Sequence, residues 1–302
     1  MEERDQVLLE TKLPYPLFSR GKVRDTYDLG DNLLIVTTDR VSAFDVVLPC
    51  GIPNKGVILT RLSEFWFNKT APMILNHVVE VVEDVNCLSD GACAEWPSYL
   101  VGRSMIVKRA KPIPVECVVR GYITGSGWSE YCQCGIVNGI PMLSGLCECD
   151  KLSDPIFTPT TKAEEGHDLP LTMEEVRNMI GSDLAAQLEE NSLALYEFIE
   201  NYAKEKGIII ADTKIEFGFI DDKLAVIDEL FTPDSSRFWD AEIYEAGHSQ
   251  PSFDKQIVRD WLEECGWNKE PPGPMLSPEI IARTAGRYHD VYQRLTGHSI
   301  GS

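Results

Sequence analysis

Apolar and polar positions divide the chain into predicted strands and helices. Residues 23–38 contain two strand-like segments around a Gly-Asp-Asn turn at 30–32, which is typical of a hairpin. Apolar side chains recur at helical spacing in residues 56–70, 183–206, 254–265 and 278–295. Because strands predominate early and helices late, the order of elements indicates an α+β fold.

A proline-marked segment suggests where the chain divides into two lobes. Residues 101–126 indicate a strand, a connection at Pro112 and Pro114, and a second strand that ends in glycines. We therefore predict an N-terminal lobe over residues 1–111 and a C-terminal lobe over residues 112–302. Later in the chain, residues 154–172 are rich in Pro, Thr and Gly without periodicity, which predicts a long ordered loop.

Charged residues interrupt a segment that otherwise has the pattern of a buried hairpin. Residues 208–211 are continuously apolar, as in a strand that is covered on both faces. Asp212, Lys214 and Glu216 then follow at alternate positions, so that they share one face of the strand. A surface hairpin with solvated charges is the alternative interpretation, although the apolar flanks weigh against it.

The length of the hairpin loop decides where the carboxylates lie. If residues 221–223 form a three-residue loop, Glu216 lies opposite Asp228 on the next strand, and the two carboxylates repel each other unless a cation lies between them. A two-residue loop would place them on opposite faces.

Charge and composition narrow the classes of function. The 302 residues carry a formal net charge of −20 with a pI near 4.6, which argues against a nucleic-acid binder. The N-terminus has no basic start followed by an apolar core, and no apolar run approaches bilayer length, so we expect a cytoplasmic protein without a membrane partner. The nine scattered cysteines indicate reduced thiols rather than a disulfide framework.

A glycine between cations precedes the first hairpin. Gly21 allows close approach of a phosphate to the backbone, and Lys22 and Arg24 supply positive charge. An exposed turn is the alternative interpretation, since one glycine is a weak signal.

The carboxylates of the later hairpin favour magnesium. This ion usually takes one or two protein carboxylates together with substrate phosphates, so Glu216 and Asp228 are its candidate ligands. Lys214 on the same face could neutralise charge on a transferred group. Together, the paired carboxylates, the glycine between cations and the boundary between two lobes predict chemistry on a nucleoside triphosphate.

Two further segments have side chains suited to anionic and amine groups. Arg120 precedes a glycine-rich turn that contains Ser126, which suits a carboxylate or a phosphate, although a surface arginine is the alternative. Asp234 and Arg237 lie in a second turn that carries both a carboxylate and a guanidinium. Residues 39–45, at the end of a predicted strand, also combine acidic side chains with an arginine.

Six motifs in order resemble the SAICAR synthetase family over nearly the whole chain. The two signature stretches are IPVECVVRGYITGS at 113–126 and IADTKIEFG at 210–218. The others are GKVRD at 21–25, DRVSAFD at 39–45, FTPTTKAE at 157–164 and TPDSSRFW at 232–239. The resemblance is to the single-function, fungal-like form of the family.

The resemblance implies a two-lobed fold with an ATP cleft and C-terminal helices, distantly similar to protein kinases and ATP-grasp enzymes. The implied enzyme uses ATP and Mg²⁺ to join CAIR (carboxyaminoimidazole ribonucleotide) to L-aspartate, in de novo purine synthesis. Its implied ATP-binding residues are Gly21, Lys22, Val23, Arg24, Lys108, Arg109, Ala110, Glu116 and Lys162. Its implied substrate-binding residues are Arg40, Ser42, Arg120, Ser126, Asp212, Lys214, Asp234, Arg237, Lys255 and Arg259.

Among these residues, the resemblance assigns catalytic roles to Lys214, Arg120 and Asp212, and metal binding to Glu216 and Asp228. We expect a monomer with small-molecule partners only.

Two other functions are also compatible with parts of the sequence. The D-x-K-x-G element of inositol-phosphate kinases resembles residues 212–218, although the glycine falls two places later here. The second alternative is a non-catalytic nucleotide-binding scaffold. Such a protein would be expected to lack Lys214, Glu216 or Asp228, and all three are present.

Overall fold

The computed structural model of the chain describes residues 7–88, 96–162 and 168–300, which form two compact units. Of the described residues, 7–69, 76–88, 96–110 and 254–300 belong to the first unit, and 70–75, 111–162 and 168–253 to the second. The division after residue 110 lies one position from the predicted boundary. The predicted C-terminal lobe, however, is not one body, because residues from 254 onward belong to the first unit.

The first unit combines antiparallel strands with three helices in its described part. Its strands are β1 (Leu17–Arg20), β2 (Arg24–Asp28), β3 (Asn32–Thr37), β4 (Arg40–Ala43), β5 (Val46–Gly51), β7 (Val78–Val81) and β8 (Ser104–Lys108), and the short β6 (Leu75–Asn76) lies where the chain leaves the second unit. Its helices are α1 (Lys55–Thr70), α5 (Gln256–Glu264) and α6 (Pro278–Thr296), with 3-10 turns at Val85–Leu88 and Ser98–Leu100. Five strands form a sheet in the order β1-β2-β3-β8-β7.

A shared apolar core explains why the C-terminal helices belong to the first unit. Val258 and Leu262 of α5 and Ile280 of α6 pack with Val41 and Leu48 of the β4–β5 hairpin. Burial of these side chains stabilises the arrangement by roughly 1.5–3 kcal/mol for each large apolar group. The sequence showed that these helices have an apolar face, but it did not show which surface covers that face.

The second unit is built around one long central strand. Its strands are β9 (Lys111–Tyr122), β10 (Ile136–Val137), β11 (Ile140–Pro141), β12 (Lys151–Phe157), β13 (Thr160–Thr161), β14 (Ile208–Ile220), β15 (Lys223–Ile227) and β16 (Ser236–Asp240), and its helices are α2 (Gly125–Cys134), α3 (Met173–Ile180) and α4 (Ser182–Glu205). β14 pairs with β9 on one side, and with β16 and then β15 on the other. β14 and its three partner strands therefore present side chains on a common face.

Most of the predicted elements are present, with differences that have physical causes. Strands β2 and β3 form the expected hairpin, and α1, α4, α5 and α6 begin and end within two residues of the predictions. The predicted loop at 154–172 begins as part of β12, because pairing with β9 outweighs composition. Pro155 is tolerated there since β12 is an edge strand. In the described parts of the chain, no helix is long and apolar enough to cross a bilayer.

The hairpin that carries the carboxylates has a two-residue loop, so the predicted three-residue register was wrong. Ile220 pairs with Lys223, and Asp221 and Asp222 form the turn with φ of 48° and 60°. Positive φ at both central residues is characteristic of a type I′ turn, whose twist matches that of the strands. As a result Glu216 pairs with Ile227 rather than with Asp228.

Candidate functional site

Alternation along β14 separates an apolar face from a charged face, as the sequence predicted. Ile215 and Phe217 are almost fully buried. Asp212, Lys214 and Glu216 point to the other face, where β9 and β16 add charged side chains. We call this surface the charged face of the second unit.

The two candidate metal ligands interact despite the unexpected register. Asp228 follows β15 with φ of 67°, and this left-handed conformation breaks the strand alternation that would otherwise send its side chain to the opposite face. Burial raises the pKa of the Glu216 carboxyl, and repulsion from Asp228 raises it further. The ammonium of Lys162 forms an ion pair with Glu216 and partly offsets this effect.

The carboxylates of Glu216 and Asp228 are chemically able to hold a divalent cation. Two partly buried carboxylates that repel each other are stabilised by a positive charge, which Lys162 supplies to one of them. Among the described residues, no group of three or more His, Cys, Asp or Glu side chains could hold a metal ion. A pair of carboxylates matches the needs of Mg²⁺, which takes only one or two protein carboxylates when phosphates supply other ligands.

Lys214 forms a second ion pair on the charged face. Its ammonium donates to Glu116 Oε1 at 2.7 Å, and Glu116 lies directly opposite Glu216 across β9 and β14. Burial raises the pKa of Glu116 to about 7, although Lys214 acts in the opposite direction. For Lys214, burial alone would lower the pKa, but the carboxylates of Glu116 and Glu216 raise it above its usual value. Lys214 therefore remains charged at neutral pH.

Two arginines share one carboxylate at the other end of the charged face. Asp212 pairs in register with Arg120 of β9 and with Arg237 of β16, so the three side chains form a row across three strands. Arg120 Nη1 lies 2.9 Å from Asp212 Oδ2, and Arg237 Nη1 binds the same oxygen. Two guanidiniums and one carboxylate leave a net positive charge.

The first turn of α2 borders this arginine pair. Ser126 accepts a hydrogen bond from Arg120 Nη2 at 3.0 Å, and Thr158 accepts one from Arg120 Nε at 3.1 Å. A Cβ atom at Gly125 would lie 2.5 Å from Arg237 Nη2, so a side chain there would displace that guanidinium, and the φ of 56° at Gly125 also favours glycine. The N-terminus of a helix adds a partial positive charge. The arrangement suits an anion that accepts several hydrogen bonds.

In the first unit, the predicted phosphate-binding residues 21–24 form a turn that leads into β2, whose first residue is Arg24. Lys22 is half exposed and pairs with Asp45, whereas Val23 is buried. Arg40 lies at the start of β4 and is buried against this turn, with Nη2 3.0 Å from the carbonyl oxygen of Gly21.

Other predicted site residues lie elsewhere in the two units. Arg109 Nε donates to the Gly30 carbonyl at 2.6 Å, next to Lys108 and Ala110 at the end of β8. Ser42 is half-buried in β4, and Asp234 is half-buried between β15 and β16 along the chain. Lys255 and Arg259 belong to the first unit, where Arg259 Nη1 donates to Gln256 Oε1 at 2.9 Å.

Sequence reasoning missed Thr158, α2 and the role of Asp25. Asp25 is fully buried and accepts hydrogen bonds from Thr11 at 2.6 Å and from Arg40 at 2.7 Å. A signal existed, because alternation in β2 places Asp25 on the same face as the buried Tyr27.

We expect Asp25→Asn to destabilise the protein at pH 7, and to do so less as the pH falls. Burial by itself would raise the pKa of Asp25, but hydrogen bonds from Arg40 and Thr11 hold it below its usual value of 3.8. A depressed pKa contributes stability above the usual value, and this stability is lost as the pH falls through the folded-state pKa. Melting temperatures of both proteins between pH 7 and pH 3 measure the effect. A constant difference across that range would contradict the prediction.

Comparison with known proteins places the chain among enzymes of one kind. Residues 17–274 match the family model described as SAICAR synthetase. A phosphoribosylaminoimidazole-succinocarboxamide synthase of Thermodesulfovibrio yellowstonii is 52% identical over 96% of this chain and 99% of its own length, and one of Geobacter sulfurreducens is 49% identical over 97% and 98%. A solved structure, the SAICAR-synthase from Saccharomyces cerevisiae complexed with SAICAR, has a TM-score of 0.89 and 41% identity, and covers 98% of this chain and all of its own. The two bacterial proteins thus share more identity with the chain than the yeast protein does.

Proposed function

Because the chain belongs to the SAICAR synthetase family, we propose that its charged face binds the substrates of an ATP-dependent ligation that joins CAIR to L-aspartate. The products of this ligation are SAICAR, ADP and phosphate, and the reaction is part of purine biosynthesis. One observation carries the assignment of the site. A single strand, β14, presents an arginine pair at Asp212 and a repelling carboxylate pair at Glu216, with Lys214 between them.

We assign the arginine end of the charged face to an anionic group of the substrates. Arg120 and Arg237 are held by Asp212 with fixed geometry, and Ser126 provides a hydroxyl beside them. A planar guanidinium binds carboxylate and phosphate oxygens with two parallel hydrogen bonds. CAIR and L-aspartate both carry such groups, which supports their binding here.

We assign the carboxylate end of the charged face to Mg²⁺ and the nucleotide phosphates. Glu216 and Asp228 would hold the ion, and Lys162 is close enough to Glu216 to contribute charge there. When bound, the ion would neutralise charge on phosphate oxygens during transfer. In the first unit, the turn at 21–24 would bind phosphate through its backbone N–H groups and through Lys22.

The reaction needs an activated carboxylate, since an oxide ion is too poor a leaving group for direct attack by an amine. A carboxylate oxygen of CAIR attacks the γ-phosphorus of ATP, the bond to the bridging oxygen breaks, and ADP leaves. The neutral amine of aspartate then attacks the acyl carbon, the carbon–oxygen bond to phosphate breaks, and phosphate and a proton are released. Rapid-quench experiments that show no acyl phosphate would contradict this order.

The protein's own contribution to these steps is alignment and charge. Lys214 stays protonated beside Glu116 and Glu216, so its ammonium can stabilise the negative charge of the transferred group. Holding both reactants in register can supply about 7–11 kcal/mol of the barrier reduction without any covalent enzyme intermediate.

We predict that the purified protein releases ADP from Mg-ATP only when CAIR and L-aspartate are both present. ADP is measured with each substrate alone and with both, and mass spectrometry identifies the succinocarboxamide product. ADP release that depends on neither substrate would contradict the proposal. Release that depends on an inositol phosphate would favour the kinase alternative.

Several expectations from the sequence stay predictions. They are the roles of Ser42, Lys108, Arg109, Ala110, Glu116, Lys162, Asp234, Lys255 and Arg259 in binding, the cytoplasmic location, the monomeric state and the lack of nucleic-acid and membrane partners.

A further inference from the structure

All four carbonyl groups of the turn at residues 21–24 are hydrogen-bonded within the first unit. Arg40 donates from Nη2 to Gly21 at 3.0 Å and from Nε to Lys22 at 3.1 Å. Thr38 donates to the Val23 carbonyl from its backbone N–H at 2.9 Å and from its hydroxyl at 2.5 Å. The Arg24 carbonyl accepts the Gly21 N–H at 2.7 Å.

The direction of these carbonyls sets the direction of the neighbouring N–H groups. In a trans peptide the C=O and the following N–H point in opposite directions. Because Arg40 holds the carbonyls of Gly21 and Lys22, the N–H groups of Lys22 and Val23 point away from it. Within the part of the chain that the structure describes, neither N–H has a hydrogen-bond partner. Successive free N–H groups of this kind form an anion-binding concavity.

Arg40 has no N–H group left for a substrate. Its other donors reach Leu9 O at 2.8 Å from Nη1, and the Asp25 carboxylate at 3.5 Å from Nη1 and 2.7 Å from Nη2. Together with the bonds to Gly21 and Lys22, these contacts occupy all five N–H donors of the guanidinium. The side chain is also nearly buried. The resemblance had implied that Arg40 binds substrate, and this saturation argues for an indirect role.

We propose that Arg40, held by Asp25, is a positioning residue that presents the N–H groups of Lys22 and Val23 to the phosphates of ATP. The inference rests on the proposed function, since it takes ATP as the ligand of this turn. It assigns Arg40 an effect on ATP binding and none on the binding of CAIR or L-aspartate.

The test compares Arg40→Lys with Arg103→Lys, a matched control. Arg103 is a buried arginine of the same unit, and its Nη1 lies 3.0 Å from the buried Asp39. Its guanidinium makes no hydrogen bond to residues 21–24. Lysine keeps the positive charge in both variants but loses the planar fork that reaches several acceptors.

We expect Arg40→Lys to lower kcat/KM for ATP by about 10²-fold, because small misplacement of a binding loop has effects of this size. Its KM values for CAIR and L-aspartate at saturating ATP should stay within about twofold of wild type, and its affinity for MgADP in calorimetry should fall. Arg103→Lys should lower the melting temperature about as much as Arg40→Lys does. Its kcat/KM for ATP and its affinity for MgADP should both stay within about twofold of wild type.

Three results would overturn the proposal. The first is an increase in KM for CAIR or L-aspartate instead of ATP in Arg40→Lys, which would mean direct substrate contact. The second is an equal loss of ATP binding in both variants, which would indicate a purely structural role. The third is unchanged MgADP affinity in Arg40→Lys. Failure of the proposed function is distinguishable, since it would appear in the wild type as ADP release independent of CAIR and L-aspartate.

A milder pair of variants covers the case in which Arg40→Lys does not fold. Thr38→Val removes one hydroxyl donor to the Val23 carbonyl, and Thr60→Val removes a buried hydroxyl that donates to the Arg103 carbonyl at 3.1 Å. Thr38→Val should weaken MgADP binding several-fold, and Thr60→Val should not. Equal MgADP affinities in the two variants would overturn the proposal.

Discussion

Asp228→Asn is expected to lower kcat by about 10²–10³-fold while the protein stays folded, a loss typical when an electrostatic group acting on a developing charge is removed. Asparagine has almost the same shape and tolerates the left-handed conformation that Asp228 adopts at φ of 67°. It removes one charge from the proposed Mg²⁺ site. It also removes the repulsion that raises the pKa of Glu216, so the folded state should not be destabilised.

Asp222→Asn is the matched control for this variant. Asp222 is also left-handed, with φ of 60°, and it lies exposed in the turn of the same hairpin. ADP release is measured for both variants across a range of Mg²⁺ concentrations, with circular dichroism as the check of folding. We expect a higher Mg²⁺ requirement only in Asp228→Asn. Wild-type turnover and Mg²⁺ dependence in that variant would remove Asp228 from the metal site.

Arg237→Gln is expected to lower kcat/KM for one of the two acceptor substrates, CAIR or L-aspartate, by about 10²-fold, which corresponds to roughly 2.7 kcal/mol. A hydrogen bond to a charged group contributes about 1.5–3 kcal/mol, and Arg237 can make two of them to an anion. Its KM for ATP should stay unchanged. Asp212 would remain paired with Arg120, which limits the loss of stability.

Arg61→Gln controls for the loss of an ion-paired arginine outside the proposed site. Arg61 also pairs with carboxylates, those of Glu64 and Glu83, and its side chain is 21% exposed compared with 27% for Arg237. Initial rates with each substrate varied in turn separate the three KM values. If Arg237→Gln changed KM for ATP alone, or if both variants had the same kinetics as wild type, the assignment of the arginine pair to an anionic substrate group would be wrong.

Hydrophobic periodicity predicted the elements well because it reflects local geometry. The spacing of apolar residues in α1, α4 and α6 follows from 3.6 residues per turn, and the alternation in β14 follows from the pleat of a strand. Helix α2 was missed, since its sequence GSGWSEYCQC has two glycines in its first turn and lacks a clear apolar stripe.

Residue types and spacing alone placed Asp212, Lys214 and Glu216 on one face, and this was confirmed. The motifs also led to the correct family. The sequence by itself therefore determined the chemistry that the chain carries, because charge, hydrogen-bonding capacity and period-2 alternation are local properties.

Tertiary structure decided which charges meet. Asp228 interacts with Glu216 although the loop has two residues, because one left-handed residue redirects its side chain. Arg40 binds Lys22 and Gly21 of the turn at 21–24 across 18 and 19 positions of sequence, and α5 and α6 join the first unit through a distant apolar hairpin. These contacts depend on long-range packing and on backbone dihedrals at single residues, and neither leaves a periodic signal in the sequence.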